Sequence, residues 1–182
     1  MRKQAILQMA AAGIAVMAML ALLANALNAQ MLQTVVGAQS GATILTPAEK
    51  QKLLPASVYY CGQPANTQLR NSGGVKFADG HYVLATLVDT TGYSSALAAK
   101  YQAYFIAEVP IKVGGESLAA GVYGVGFVGD KFVVTDVGAH DVLTVASHED
   151  AGLKRHMPLQ VLADPAGGFR LYAGHKYVSF SR

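Results

Sequence analysis

The chain has 182 residues, with 14 Lys or Arg against 11 Asp or Glu and a formal charge of +3, a length that suggests one domain. Arg2 and Lys3 supply two of those three net charges, so the remainder is close to neutral and holds no basic block to support nucleic-acid binding. Cys61 is the single cysteine, which excludes an intrachain disulfide and leaves stability to the core.

The basic start Met1-Arg2-Lys3 is followed by an almost continuous apolar run over residues 5–24. Ala24-Asn25-Ala26 then matches the A-x-A cleavage pattern, and Ala29 offers a second site. These three parts predict a secretory signal peptide over residues 1–29 and an exported, periplasmic or extracellular product. The alternative is an uncleaved anchor, since the run is long enough to span a bilayer; this leader is the chain's one route to a membrane. Residues 30–45 read as an N-terminal arm or a first edge strand, and residues 46–182 as a single β domain.

Thr46-Pro47-Ala48-Glu49 predicts a helix start, with Thr46 as cap, Pro47 at the first position and Glu49 as capping-box partner. Pro55 ends that helix near Leu54. A two-turn helix is marginal alone and has to dock Leu53 and Leu54. Residues 57–61 (SVYYC) favour a strand, residues 64–66 a turn, and residues 67–71 a short exposed strand. Asp79-Gly80 signals a hairpin into Tyr82–Val88, which is apolar on both faces and suits a central strand covered on two sides. Residues 94–100 favour one or two helical turns with Ser94 as cap.

Residues 101–138 organise the rest. Phe105, Ala107, Val109, Ile111 and Val113 alternate with a set that turns polar, so one face is expected to be buried throughout. Pro110 implies an edge or a break in pairing. Gly114-Gly115 and Gly129-Asp130 supply turns, and the three segments read as a meander. Gly124 and Gly126 strip one strand face of side chains, so something must approach that backbone closely. A large side chain from an opposing sheet is the ordinary occupant; a small apolar or carbohydrate ligand beside Tyr123, Gly124 and Gly126 is the functional one. Further strands follow over residues 142–146 and 159–163, then a closing hairpin around Gly174-His175. About nine or ten short strands predict an all-β fold, an antiparallel β-sandwich or jelly-roll-like barrel with one short N-terminal helix.

Chemical motifs are sparse. Gly124 to Gly129 formally matches G-x-G-x-x-G, but the glycines lie inside a strand and no helix follows, so no dinucleotide cofactor is expected. No cofactor of any other kind is expected either. Five histidines occur without paired metal-ligand spacing. The best metal candidate is His140 with Asp141 and Asp136, against an Asx-type turn in which Asp141 bonds local backbone amides and His140 is solvated. The opposite-sign clusters His148-Glu149-Asp150 and Lys154-Arg155-His156 read as solvated faces. Gly92-Tyr93-Ser94-Ser95-Ala96 lacks the last glycine of a nucleophile elbow. Cys61 is expected to be a buried inert thiol, with an intermolecular bridge as the alternative. Nine tyrosines build β cores by default.

Residues 45–63 (LTPAEKQKLLPASVYYCGQ) and 119–141 (AAGVYGVGFVGDKFVVTDVGAHD) together resemble uncharacterised small exported bacterial β-sandwich proteins. The strand opening Ala120-Gly121-Val122-Tyr123 is similar to β-sandwich domains of unknown function. The resemblance implies fold and export and carries no catalytic residue. The expected function is therefore a non-catalytic envelope module for binding or structure; the alternative is a metal-dependent or hydrolytic enzyme around His140.

Overall fold

Period-two alternation needs a buried layer on one side of each strand, and here two antiparallel sheets supply it to one another. The computed structural model describes residues 41–182. The predicted signal peptide and most of the arm lie outside the described residues. The first sheet holds β1 (Thr43–Ile44), β2 (Ser57–Tyr60), β3 (Gln63–Lys76), β4 (Tyr82–Val88), β5 (Ala103–Ala107), β8 (Gly121–Val128), β9 (Lys131–Thr135) and β10 (Asp141–Ala146). Its order is β1-β3-β4-β5-β8-β9-β10, with β2 paired to the beginning of β3. The second sheet runs β12-β13-β14-β6-β7, built from β6 (Ile111–Val113), β7 (Glu116–Leu118), β12 (Gln160–Ala163), β13 (Phe169–Ala173) and β14 (Lys176–Ser181). A short β11 (His148–Glu149) adds to β14.

The main core lies between the sheets. Val75, Val83, Phe105, Val125, Phe132 and Val134 of the first meet Ile111, Val113, Val161, Leu171, Val178 and Phe180 of the second. The alternating set from Phe105 to Val113 is buried throughout, as its period implies. It does not belong to one strand, however. The chain leaves the first sheet after Ala107, breaks around Pro110 and enters the second sheet at Ile111. Pro110 has no amide proton for a ladder, so the crossing falls where pairing must stop. The expected meander is corrected accordingly: β6 and β7 form a hairpin in the second sheet, and β8 returns to pair with β5 and then β9. The alternation survives because both strands face the same core from opposite sides.

The first sheet is covered on its outer face as well. Helix α1 (Pro47–Leu53) carries the complete Thr46–Glu49 capping box and Pro47 in its first turn. Leu54 packs with Leu45 and Leu84, while Leu53 stays 40% exposed, contrary to the expectation that both would dock. Helix α2 (Ser95–Lys100), capped by Ser94, covers the region of β8. Central strand β4 is thus buried on both faces, as its continuous apolar run requires.

One expected turn moves. Residues 64–66 lie in β3, and the reversal falls at Cys61-Gly62, where Tyr60 pairs with Gln63. Both turn residues have positive φ (49° and 74°), the requirement of a two-residue hairpin matched to strand twist. The thiol of Cys61 is exposed at this tip, which corrects the expectation of a buried cysteine.

Candidate functional site

Gly124 and Gly126 lie on the outer face of β8, and the space above both is filled. A Cβ on Gly124 would stand 2.7 Å from a Tyr101 ring carbon and 2.8 Å from both Tyr60 and the Thr135 hydroxyl. One on Gly126 would stand 2.3 Å from the carbonyl oxygen of Ala99, at the end of α2. The occupants come from the flanking β2 hairpin and α2, not from an opposing sheet. Tyr60 and Tyr101 stack with ring centroids 3.6 Å apart, and Tyr93 meets both edge-on. The Thr135 hydroxyl donates to the Gly124 carbonyl at 3.1 Å, so the Tyr60 hydroxyl, 2.6 Å away, donates to Thr135. Tyr101 is fully buried, and among the described residues its hydroxyl has no partner. Burial pushes that hydroxyl's pKa up. Tyr123 points the other way, into the core between the sheets, and donates to the Ala119 carbonyl at 3.0 Å. The three residues expected to share a ligand therefore divide between two faces, and a ligand has no room beside the glycines.

Asp136, His140 and Asp141 do not converge on one point. Asp136 Oδ1 accepts from the amides of Gly138 and His140 at 2.8 and 2.9 Å, and its Oδ2 meets His140 Nδ1 at 3.0 Å. Hydrogen bonds from the amide and then the ring of His140 hold the Asp136 carboxyl below its ordinary range. This is the expected Asx-type turn, formed by Asp136 rather than Asp141. The His140 side chain is 82% exposed. Asp141 instead takes a bidentate bond from Lys100 of α2 at 2.7 and 2.8 Å. Among the described residues, no group of three or more His, Cys, Asp or Glu is placed to hold a metal ion.

The polar centre that sequence reasoning missed lies on the outer face of the second sheet. Arg170 and Tyr172 alternate on β13, and Tyr177 and Ser179 on β14; the registers Arg170–Ser179 and Tyr172–Tyr177 bring the four together. The guanidinium of Arg170 sits 4.4 Å above the Tyr177 ring and donates to Asp164 at 3.0 Å. Asp164, whose side chain is only 4% exposed, also accepts from Ser179 Oγ at 2.7 Å and the Ala166 amide at 3.0 Å. Burial alone would raise the Asp164 carboxyl, but the bonds from Arg170, Ser179 and the Ala166 amide outweigh it and hold the pKa low. Tyr172 is buried and donates to Asp150 at 3.0 Å, which pins the loop after β11 to the sheet. Asp150 is thus a structural anchor rather than part of a solvated cluster. The signal was present as Arg-x-Tyr and Tyr-x-Ser at period two, but only the pairing register reveals the partners.

Beside this face is an open cleft of about 270 Å³, lined by Gly129, Asp130, Ser147, His148, Glu149 and Lys176. It forms where the β8–β9 turn of the first sheet meets β11 and β14 of the second. Lys176 Nζ donates to the Gly129 carbonyl at 2.6 Å, and the Ser147 amide donates to the Asp130 carbonyl at 2.8 Å. These two bonds join the lips of the cleft. Among the described residues, no hydrogen bond or ion pair engages the side chains of Asp130 or Glu149. The His148 ring tilts against Tyr177 at 5.5 Å. Two unengaged carboxylates, one ammonium and an imidazole therefore border one concavity, an arrangement that can accept from and donate to a polar ligand. No protein-family model, curated protein or solved structure matches the chain.

Proposed function

We propose that this chain is an exported β-sandwich module of the cell envelope that binds a small hydroxyl-rich ligand, such as a carbohydrate, and does not catalyse a reaction. The observation that carries this reading is the cleft at Gly129–Asp130, where the carboxylates of Asp130 and Glu149 have no partner among the described residues. Carboxylates accept from sugar hydroxyls, Lys176 donates, and the His148 ring offers an aromatic face. The candidate catalytic groups, by contrast, are spent on structure: Asp136 closes a turn and Asp141 holds α2. Export rests on the leader pattern of residues 1–29.

Native mass spectrometry of the protein purified from its own envelope tests both parts. The expected spectrum shows a chain shortened after Ala26 or Ala29, carrying a small polar adduct that Glu149→Ala and Lys176→Ala together abolish. A bare mass from the wild-type chain, or an adduct unchanged in that double variant, would overturn the binding reading. The full 182-residue mass would overturn cleavage.

A further inference from the structure

None of the five histidines has metal-ligand spacing in the sequence, yet the fold places two of them side by side. His175 occupies the second position of the β13–β14 turn, and His156 belongs to the loop that follows β11. Two backbone bonds tie this loop to that turn. The Asp150 amide donates to the His175 carbonyl at 2.9 Å, and the Gly174 amide donates to the Met157 carbonyl at 3.1 Å. Between these ties the imidazoles of His156 and His175 stand with centroids 4.5 Å apart and planes tilted by 36°. Both residues are exposed.

A second contact sets the chemistry of one ring. His175 Nδ1 lies 3.1 Å from the backbone carbonyl oxygen of Asp150. A carbonyl has no proton to give, so Nδ1 is the donor, and in the neutral ring Nε2 keeps its lone pair. An Nδ1–H bond to a backbone carbonyl is the bond that orients ligating histidines and fixes their tautomer.

We propose that His156 and His175 form a two-imidazole site for a borderline divalent transition ion, filled most tightly by Cu²⁺ and less tightly by Zn²⁺. With metal–nitrogen bonds of about 2.0–2.1 Å, two imidazoles on one ion at right-angle to tetrahedral bond angles have centroids roughly 4.5–5.2 Å apart. The observed centroid separation lies at the near end of that range. Neutral imidazole suits Cu²⁺ and Zn²⁺, and the order of divalent affinities places Cu²⁺ first. Lys154 and Arg155 precede His156 and oppose a cation, but both are exposed and salt screens their charge. Only two protein ligands converge among the described residues, so the remaining positions fall to water. The site is therefore exchangeable rather than structural. It is independent of the cleft at Asp130 and Glu149.

Titration of the purified chain with CuCl₂, followed by electron paramagnetic resonance, reads this directly. The expected result is one saturable equivalent whose nitrogen splitting reports two coordinated imidazoles, displaced by excess ZnCl₂. H156A and H175A each lose the two-nitrogen pattern, while H81A and H140A keep it. If H175A lowers the thermal midpoint through its lost bond to Asp150, H156A, which has no such bond, still carries the test. Absence of saturable binding, or a two-nitrogen signal that survives in the H156A/H175A double variant, would overturn the site.

Discussion

The outer faces of the two sheets solve one problem with opposite chemistry. Over the first sheet, Tyr60 and Tyr101 lie flat against Gly124, and the end of α2 rests on Gly126. Over the second, Arg170 stacks on Tyr177 and gathers Asp164, Tyr172 and, at 3.8 Å, Asp150. The first cover is held mainly by shape and apolar burial, with the Lys100–Asp141 pair as a charged tie at the edge of α2. The second is held by charge-assisted hydrogen bonds, which titrate. The difference bears on function. The side with a packed cover has no opening beside its glycines, whereas the side with the polar cover has groups left over at its margin, in the cleft and at the histidine pair.

Three variants sharpen that contrast. The largest effect is expected from Gly126→Ala. Its methyl group would overlap the Ala99 carbonyl, a backbone atom that cannot rotate away, so α2 must shift. Such overpacking costs about 3 kcal/mol, measured as a lower midpoint in urea. A wild-type midpoint would show that α2 is only loosely held on β8.

Arg170→Met should cost about 2 kcal/mol, because it removes the charge-assisted bond to the buried Asp164 carboxylate and leaves it only Ser179 and the Ala166 amide. It should also change the acid response. Asp164 has a lowered pKa in the fold, so its contribution is fully present above the ordinary aspartate value of about 3.9. That contribution is lost as pH falls through the lower folded value. Wild-type stability should therefore drop below about pH 4, and the Asp164 share of that drop should shrink in Arg170→Met, which leaves only the Ser179 and Ala166 bonds. Denaturant midpoints for both proteins between acid and neutral pH decide this; parallel curves would mean that the guanidinium does not set the carboxyl.

The smallest effect has the opposite sign. Tyr101→Phe removes a buried hydroxyl without a partner among the described residues while keeping the stacked ring. It should stabilise the fold by about 1 kcal/mol, seen as a raised thermal midpoint. A fall instead would mean that the hydroxyl is not stranded in that layer.

What could be read in advance follows from how far apart the interacting residues lie in the chain. Thr46 and Glu49 are three residues apart, and their capping box forms as the pattern requires. Tyr82–Val88 declares its two-sided burial through its own composition. The Gly174-His175 reversal is equally local. The sheet change at Pro110 was half legible: the proline announced that pairing stops, but not that the chain resumes in the other layer. At Gly124 the need for a close neighbour was evident, whereas the identity of Tyr60 and Tyr101 was not, because nothing local ties residue 60 to residue 124. The assignment of Asp141 to the turn failed for a related reason. Asp136 can reach two amides of the same loop, and Lys100, 41 residues earlier, claims Asp141.

By itself the sequence determined the class of fold, the alternation that buries one set of residues from Phe105 to Val113, and the helix caps with most of the turns, though not the reversal at Cys61-Gly62. These depend on backbone geometry and on neighbours within a few residues. Only the tertiary structure decided which sheet each strand joins, what covers the glycines, which partner Asp164 finds, and that His156 and His175 meet. Those outcomes are set by strand register and by the packing of distant segments. A period of two tells a side chain which face it takes, but not what will stand opposite it.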